Sequence, residues 1–138
     1  MKLTIITPER TAFDGEADSV VLNTEEGEIG ILPGHLPLVT LLRAGDVQVE
    51  HQGEKQFLAV DKGFAEVSDD QIRVLTEAAI DVEEIDLEAV ANAEERARRY
   101  LTEAEGKPDL DPHELDQIQG SLRFAVAQRL AKGRRSVR

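Results

Sequence analysis

The sequence contains no cysteine and no tryptophan, and only one methionine and one tyrosine in 138 residues. Without cysteine there is no disulfide framework, no thiolate nucleophile and no cysteine-ligated zinc or iron–sulfur site. Aromatics make up 4% of the chain against 41% hydrophobic residues in all, so aliphatic side chains must fill the core. No apolar run approaches the roughly 18 residues that span a bilayer. The start, MKLTIITPERTAFDG, lacks the apolar stretch and small-residue cleavage site of a signal peptide. The expectation is an intracellular, soluble protein of about one domain, with no direct membrane insertion. Basic residues are also scarce: 16 Lys and Arg stand against 28 Asp and Glu, a net charge of -12. That balance excludes a general nucleic-acid binder, which needs a basic footprint.

The charge is unevenly placed. Residues 1–120 carry all 28 acids and ten of the bases, leaving -18. Residues 121–138 carry six bases (Arg123, Arg129, Lys132, Arg134, Arg135 and Arg138) and no acid. Such a tail either meets something negative or simply ends a solvated helix, where cations suit the macrodipole.

Two periodicities divide the chain. Up to about Thr76 it reads as short strands: Leu3–Ile6, Ser19–Leu22, Val47–His51, Phe57–Val60, Phe64–Val67 and Ile72–Leu75. Gln52-Gly53 reads as a tight turn, Asp61-Lys62-Gly63 as a hairpin and Ser68–Gln71 as another turn. Strands this closely spaced predict an antiparallel sandwich or barrel, with no helical crossover to support a parallel sheet. From Asp86 the period becomes helical. Leu87, Val90, Ala91, Ala97, Leu101 and Ala104 form one stripe, and the Asp86 carboxylate is placed to cap it. Glu105–Leu110 breaks this helix. Asp111-Pro112-His113-Glu114 starts a second, with the stripe Leu115, Ile118, Leu122, Ala125/Val126 and Leu130 and a stop at Gly133. The predicted class is α+β, strands first: a β-sandwich over residues 1–84, then a two-helix hairpin over residues 85–138. The stripes are thin and rich in alanine, which predicts a hairpin weakly held and able to dock elsewhere.

Little in the sequence resembles a catalytic site. His35, His51 and His113 show no metal-ligand spacing, which speaks against a small metal enzyme. Glu25-Glu26 and Glu83-Glu84 read as solvated pairs, and no serine stands in a nucleophile elbow. One stretch is distinctive: Glu26–Thr40, EGEIGILPGHLPLVT, a loop–strand–loop stiffened by glycine and proline. It reads equally as a β-arch or as a rigid loop presenting Glu28 and His35 to another protein.

This stretch, with Thr7-Pro8-Glu9-Arg10, Phe13-Asp14-Gly15, Gly63-Phe64-Ala65-Glu66-Val67 and Val74–Ala79, resembles the epsilon subunit family of F-type ATP synthases. The resemblance implies a β-sandwich and helical hairpin in the central rotor stalk, a non-catalytic subunit that needs no cofactor. It implies binding to the gamma subunit and the c-ring, with Glu28 and His35 at that interface. It further implies coupling of proton flow to ATP synthesis at the cytoplasmic face of the plasma membrane, where the subunit is peripheral through the complex. The hairpin is implied to inhibit ATP hydrolysis. In that role Arg123, Arg129, Lys132, Arg134 and Arg135 would meet an acidic segment of the beta subunit, within reach of beta (and alpha).

Some members of this family bind ATP through I/L-D-x-x-R-A. Here the stretch is Ile85-Asp86-Leu87-Glu88-Ala89-Val90, with Arg96 matching a further arginine of the site. Ile85 and Asp86 match, whereas Ala89 and Val90 replace the arginine and alanine. Loss of one charged contact weakens binding on the order of tenfold to a hundredfold. The alternative function, an ATP-sensing module whose hairpin folds on nucleotide, is therefore disfavoured by Ala89.

Overall fold

The chain is described by a computed structural model covering residues 1–107 and 109–137, with side chains described as far as Arg134. Within these residues the chain order is β1 (Lys2–Ile6), β2 (Thr11–Glu16), β3 (Ser19–Thr24), β4 (Gly27–Ile31), β5 (Leu38–Leu42), β6 (Gly45–His51), β7 (Glu54–Val60), β8 (Gly63–Ser68), β9 (Gln71–Thr76) and β10 (Ala79–Asp81). A single 3-10 turn, Val82–Glu84, leads into α1 (Leu87–Ala104) and α2 (Pro112–Val137).

The strands pair in the order β10-β7-β6-β3-β5-β8-β9-β1-β2, with β4 on the other edge of β3. β3 joins β6 through Ser19–Val21 but touches β5 only at Thr24↔Leu42. The narrow link lets the sheet fold over into two layers. At the far edges Arg10 Nη2 donates to the Ala79 carbonyl at 2.9 Å, drawing the β1–β2 turn onto β10. Alternating residues of the strands point between the layers. Leu3, Ile5, Val20, Leu22, Leu58 and Val74 are essentially inaccessible, as the period of two requires.

Two strands are apolar on both faces, and their second faces have opposite fates. In β7, Leu58 and Val60 enter the sandwich core while Phe57 and Ala59 point outward and are equally buried. The hairpin covers them: Phe57 and Ala59 form a second cluster with Val82, Ile85, Val90 of α1, and Ala125 and Ala131 of α2. In β5, Leu42 lies in the core, whereas Val39 and Leu41 point outward and nothing in the described chain covers them.

Several sequence expectations need correction. Asp61-Lys62-Gly63 is a crossover rather than a hairpin: β7 pairs with β6 and β10, while β8 pairs with β5 and β9. The buried Thr76 hydroxyl, donating to the Asp61 carbonyl at 2.8 Å, holds the chain as it passes between layers. The sandwich is not wholly antiparallel, because β1 runs parallel to β9 from Lys2↔Gln71 to Ile6↔Leu75. The short edge strands β2 and β10 carry too weak an alternation to be foreseen. Gly133 does not stop α2, which runs on to Val137. In α1 the buried positions are Val90, Ala97 and Ala104, with Leu87 and Ala91 turned to solvent. The caps hold: Asp86 accepts from the amides of Glu88 and Ala89, and Asp111 from that of His113. Gln52-Gly53 turns with positive φ at both residues, 52° and 81°, as a tight hairpin turn demands.

Gly63 marks the closest backbone approach. A Cβ built there would overlap the Leu75 carbonyl oxygen and lie 2.8 Å from Thr76 Cα, both backbone atoms that cannot rotate aside. Gly63→Ala is expected to destabilise the chain by at least about 2 kcal/mol, read as a lowered midpoint in urea unfolding.

Candidate functional site

Three surfaces carry the chemistry that the sandwich and hairpin offer. The first is the bare face of β5. Its register partners continue it across four strands: Leu41 pairs with Phe64 of β8, Phe64 with Leu75 of β9, and Leu75 with Ile6 of β1. Leu41 is 63% exposed, Val39 69% and Phe64 40%. Below the ladder runs a polar row formed by Glu66, Arg73 and Thr4 beside Val39. An apolar strip with a polar border has the composition of a protein-binding face. Sequence reading missed it, although the signal was present: Leu38–Leu42 is apolar on both faces while the chain holds a single hairpin to cover one such strand.

The second surface is the β4–β5 loop. Gly34, at φ +86°, presents its amide to the Asp70 carboxylate at 2.9 Å, so the loop is pinned to the β8–β9 turn. His35 donates its amide to the Leu32 carbonyl, and its ring Nδ1 lies 2.7 Å from the Leu36 carbonyl. Leu32 and Leu36 stand out at the tip, 61% and 78% exposed. Glu28 is exposed on β4, away from this turn, and lines a groove of about 470 Å³ between the sandwich and α2. The structure therefore does not bring Glu28 and His35 into one site; they sit on the same strand–loop unit and face different neighbours.

The third is the contact between α2 and the sandwich. Here the basic tail meets its own chain. Arg123 makes a two-pronged pair with Asp61, Nε to Oδ1 at 2.6 Å and Nη2 to Oδ2 at 3.1 Å. Arg134 Nη1 reaches Asp46 Oδ1 at 2.6 Å, and Lys132 Nζ donates to the Val82 carbonyl at 3.0 Å. Arg129 binds Glu94 of α1 through Nε at 3.1 Å. Arg98 and then Arg129 hold the Glu94 carboxyl below its ordinary value, because both donate to its charged form. Near the hairpin tip the Glu114 carboxylate beside Tyr100 favours the protonated phenol and raises its pKa. The side chain of Arg135 lies outside the described residues. Asp46 and Asp61, which sequence reading did not single out, are almost fully buried, their side chains 7% and 6% exposed. Isolated acids beside apolar strand residues were the available signal.

The nucleotide motif region opens into a cavity of about 380 Å³ between α1, α2 and the 3-10 turn. Asp86 lines it but is engaged in capping α1, Ile85 is buried in the cluster beneath, and Arg96 is exposed on α1 and outside the lining. The lining contains Glu84, Asp86, Ala89, Ser121 and Gln128 and no cation among the described residues. A triphosphate would meet two carboxylates there. Titration calorimetry with millimolar ATP is expected to give no saturable heat, and a millimolar-or-tighter constant would overturn this reading.

The same arrangement of sandwich and hairpin recurs in known proteins. Residues 1–82 match the family model described as ATP synthase, Delta/Epsilon chain, beta-sandwich domain. The chain is 40% identical over 134 residues to the ATP synthase epsilon chain of Moorella thermoacetica, covering 96% of each chain. It is 37% identical over 130 residues to that of Halalkalibacterium halodurans, covering 94% of this chain and 98% of the relative. Among solved structures it superposes on a chain of the Euglena gracilis mitochondrial ATP synthase, OSCP/F1/c-ring, with a TM-score of 0.71 and 30% identity, over 94% of this chain and 79% of that one. A chain of the Tetrahymena thermophila mitochondrial ATP synthase central stalk/c-ring, 16% identical with a TM-score of 0.55, shares the fold. By sequence over nearly its whole length, this chain belongs to the ATP synthase epsilon chain family.

Proposed function

We propose that the chain is a non-catalytic subunit of the central stalk of an F-type ATP synthase. It turns with the gamma subunit and the c-ring and couples proton flow to ATP synthesis. The observation that carries this reading is the uncovered apolar ladder Leu41–Phe64–Leu75–Ile6 on a sandwich whose other outer face is already occupied by the hairpin. A rotor subunit needs one face bound to the shaft and one element left to respond, and the two outer faces divide the work in that way. Residues 1–84 serve as the gamma- and c-ring-binding domain and residues 85–138 as the regulatory hairpin. The ladder is read as the seat of gamma. Glu28 and the pinned loop with His35 are read as contacts at the gamma and c-ring end.

The hairpin is read as a brake on ATP hydrolysis that works when α2 leaves the sandwich and its cations reach acidic residues of beta. Support comes from the slight hold of α2, whose buried positions are Ala125, Ala127 and Ala131. Such side chains bury little apolar area each. No described helix is long and apolar enough to cross a membrane; the subunit is read as peripheral, held at the cytoplasmic face through the complex.

Two experiments test this reading. Leu41→Thr with Phe64→Thr places β-branched residues at these two paired, partly exposed strand positions and should leave the chain folded, checked by urea unfolding. It should weaken co-purification with gamma by roughly thirtyfold or more, the effect of losing a hot spot. Full retention of gamma would remove the ladder from the interface. Deleting residues 86–138 in the assembled complex should raise the rate of ATP hydrolysis, and an unchanged rate would show that the hairpin is not a brake.

A further inference from the structure

The cations that the released hairpin would offer to a partner are not idle while it is docked. Arg123 and Arg134 lie eleven residues apart on α2, roughly 16 Å along the helix axis. Each closes on a carboxylate of the sandwich, Asp61 and Asp46 respectively, with Lys132 on the Val82 carbonyl between them. Both acids are pre-oriented by their own surroundings. Asp61 Oδ1 accepts the Lys62 amide at 2.8 Å. Asp46 Oδ1 accepts Asn23 Nδ2 at 2.9 Å, and the same nitrogen holds the Asp46 carbonyl at 3.0 Å. Asp46 lies on the outer face of β6 opposite Ala59, and Asp61 follows the apolar run of β7, both under α2. In both pairs the carboxylate is buried while the arginine side chain is 34% and 48% exposed, so each pair adds modest stability and can be exchanged for another of the same kind.

We infer that Asp46 and Asp61 form an internal acidic decoy. They occupy Arg134 and Arg123 in the way an acidic peptide segment would, so docking on the sandwich and capture by an acidic partner exclude one another. This deepens the brake reading and rests on it for its consequence in the complex, though not for the latch itself. Release exchanges carboxylate for carboxylate at each guanidinium, so the two states differ less in energy than either does from a hairpin with no acidic partner. A single apolar stripe would offer no such exchange. The occupant that competes is an acidic peptide, since two guanidinium forks eleven residues apart on one helix select planar carboxylates.

The chain's lack of cysteine allows the test in the full-length protein. Spin labels at Glu54→Cys, on β7, and Gln117→Cys, on α2, both exposed, report the docked distance. Wild type should show one narrow distance distribution, and a ten-residue oligo-aspartate should populate a second, broader one. The double variant D46N/D61N keeps the oxygens that accept from Asn23 and Lys62 while removing both charges. It should raise the released-to-docked ratio on the order of tenfold to a hundredfold. R123Q, which leaves the sandwich untouched, should move the ratio in the same direction. An unchanged distance in both D46N/D61N and R123Q, or no response of wild type to oligo-aspartate, overturns the decoy. In the assembled complex D46N/D61N should hydrolyse ATP more slowly than wild type. If the hairpin is released in the isolated chain and hydrolysis is unaltered, the latch stands and the brake reading falls.

Discussion

The outward face of β7 is the constraint from which the rest of the molecule follows. Leaving Phe57 and Ala59 in water beside an otherwise closed sandwich costs apolar burial, and the segment after β10 covers them. The 3-10 turn contributes Val82, Ile85 closes the gap, and α2 lies along the strand with α1 packed on its other side. Because the fully buried residues described on α2 are alanines, that helix comes close yet gains little apolar burial per residue. The remaining hold is ionic and sits at defined points. A contact of this kind is specific in register and modest in strength, which suits an element that has to leave.

The two doubly apolar strands show how one pattern acquires two meanings. β7 and β5 share the same sequence character, four or five consecutive apolar or β-branched residues. One is covered from within the chain; the other presents Val39 and Leu41 outward. A strand buried on both faces needs two coverings, and a chain of this length supplies only one beyond the sandwich. On the proposed reading the second covering comes from another subunit. The arrangement keeps the rigid attachment and the movable hairpin on separate strands, so that movement of one need not disturb the other.

Much of the fold was legible because it depends on local chemistry. The caps at Asp86 and Asp111, the Gln52-Gly53 turn and the change from period two to helical period all arise from neighbours in sequence. What escaped was non-local. Asp61-Lys62-Gly63 has the residues of a hairpin, but the Thr76 hydroxyl and the Leu75 carbonyl, contributed from β9, make it a crossover. The α1 stripe was legible at Val90, Ala97 and Ala104, whereas Leu87 and Ala91 fit the period as well as Ala93 and Glu94 until the position of α2 decides between them. Of the candidate sites, the basic residues of α2 were visible from charge alone, while their partners Asp46 and Asp61 were hidden among 28 acids. Burial separates those two from the rest, and burial of an outward-facing acid is a property of the docked hairpin rather than of the strand that bears it.

The parallel pairing of β1 with β9 has a consequence for how the molecule is made. Lys2 lies beside Gln71 and Ile6 beside Leu75, so the first strand cannot complete its place until some seventy further residues exist. Contacts this distant along the chain slow folding, because the loop must be closed before the contact stabilises it. During synthesis the sandwich therefore closes late, and the hairpin, which follows β9 in the chain, emerges after the strands it docks on. Order of assembly is thus written into the strand order: sandwich first, hairpin second.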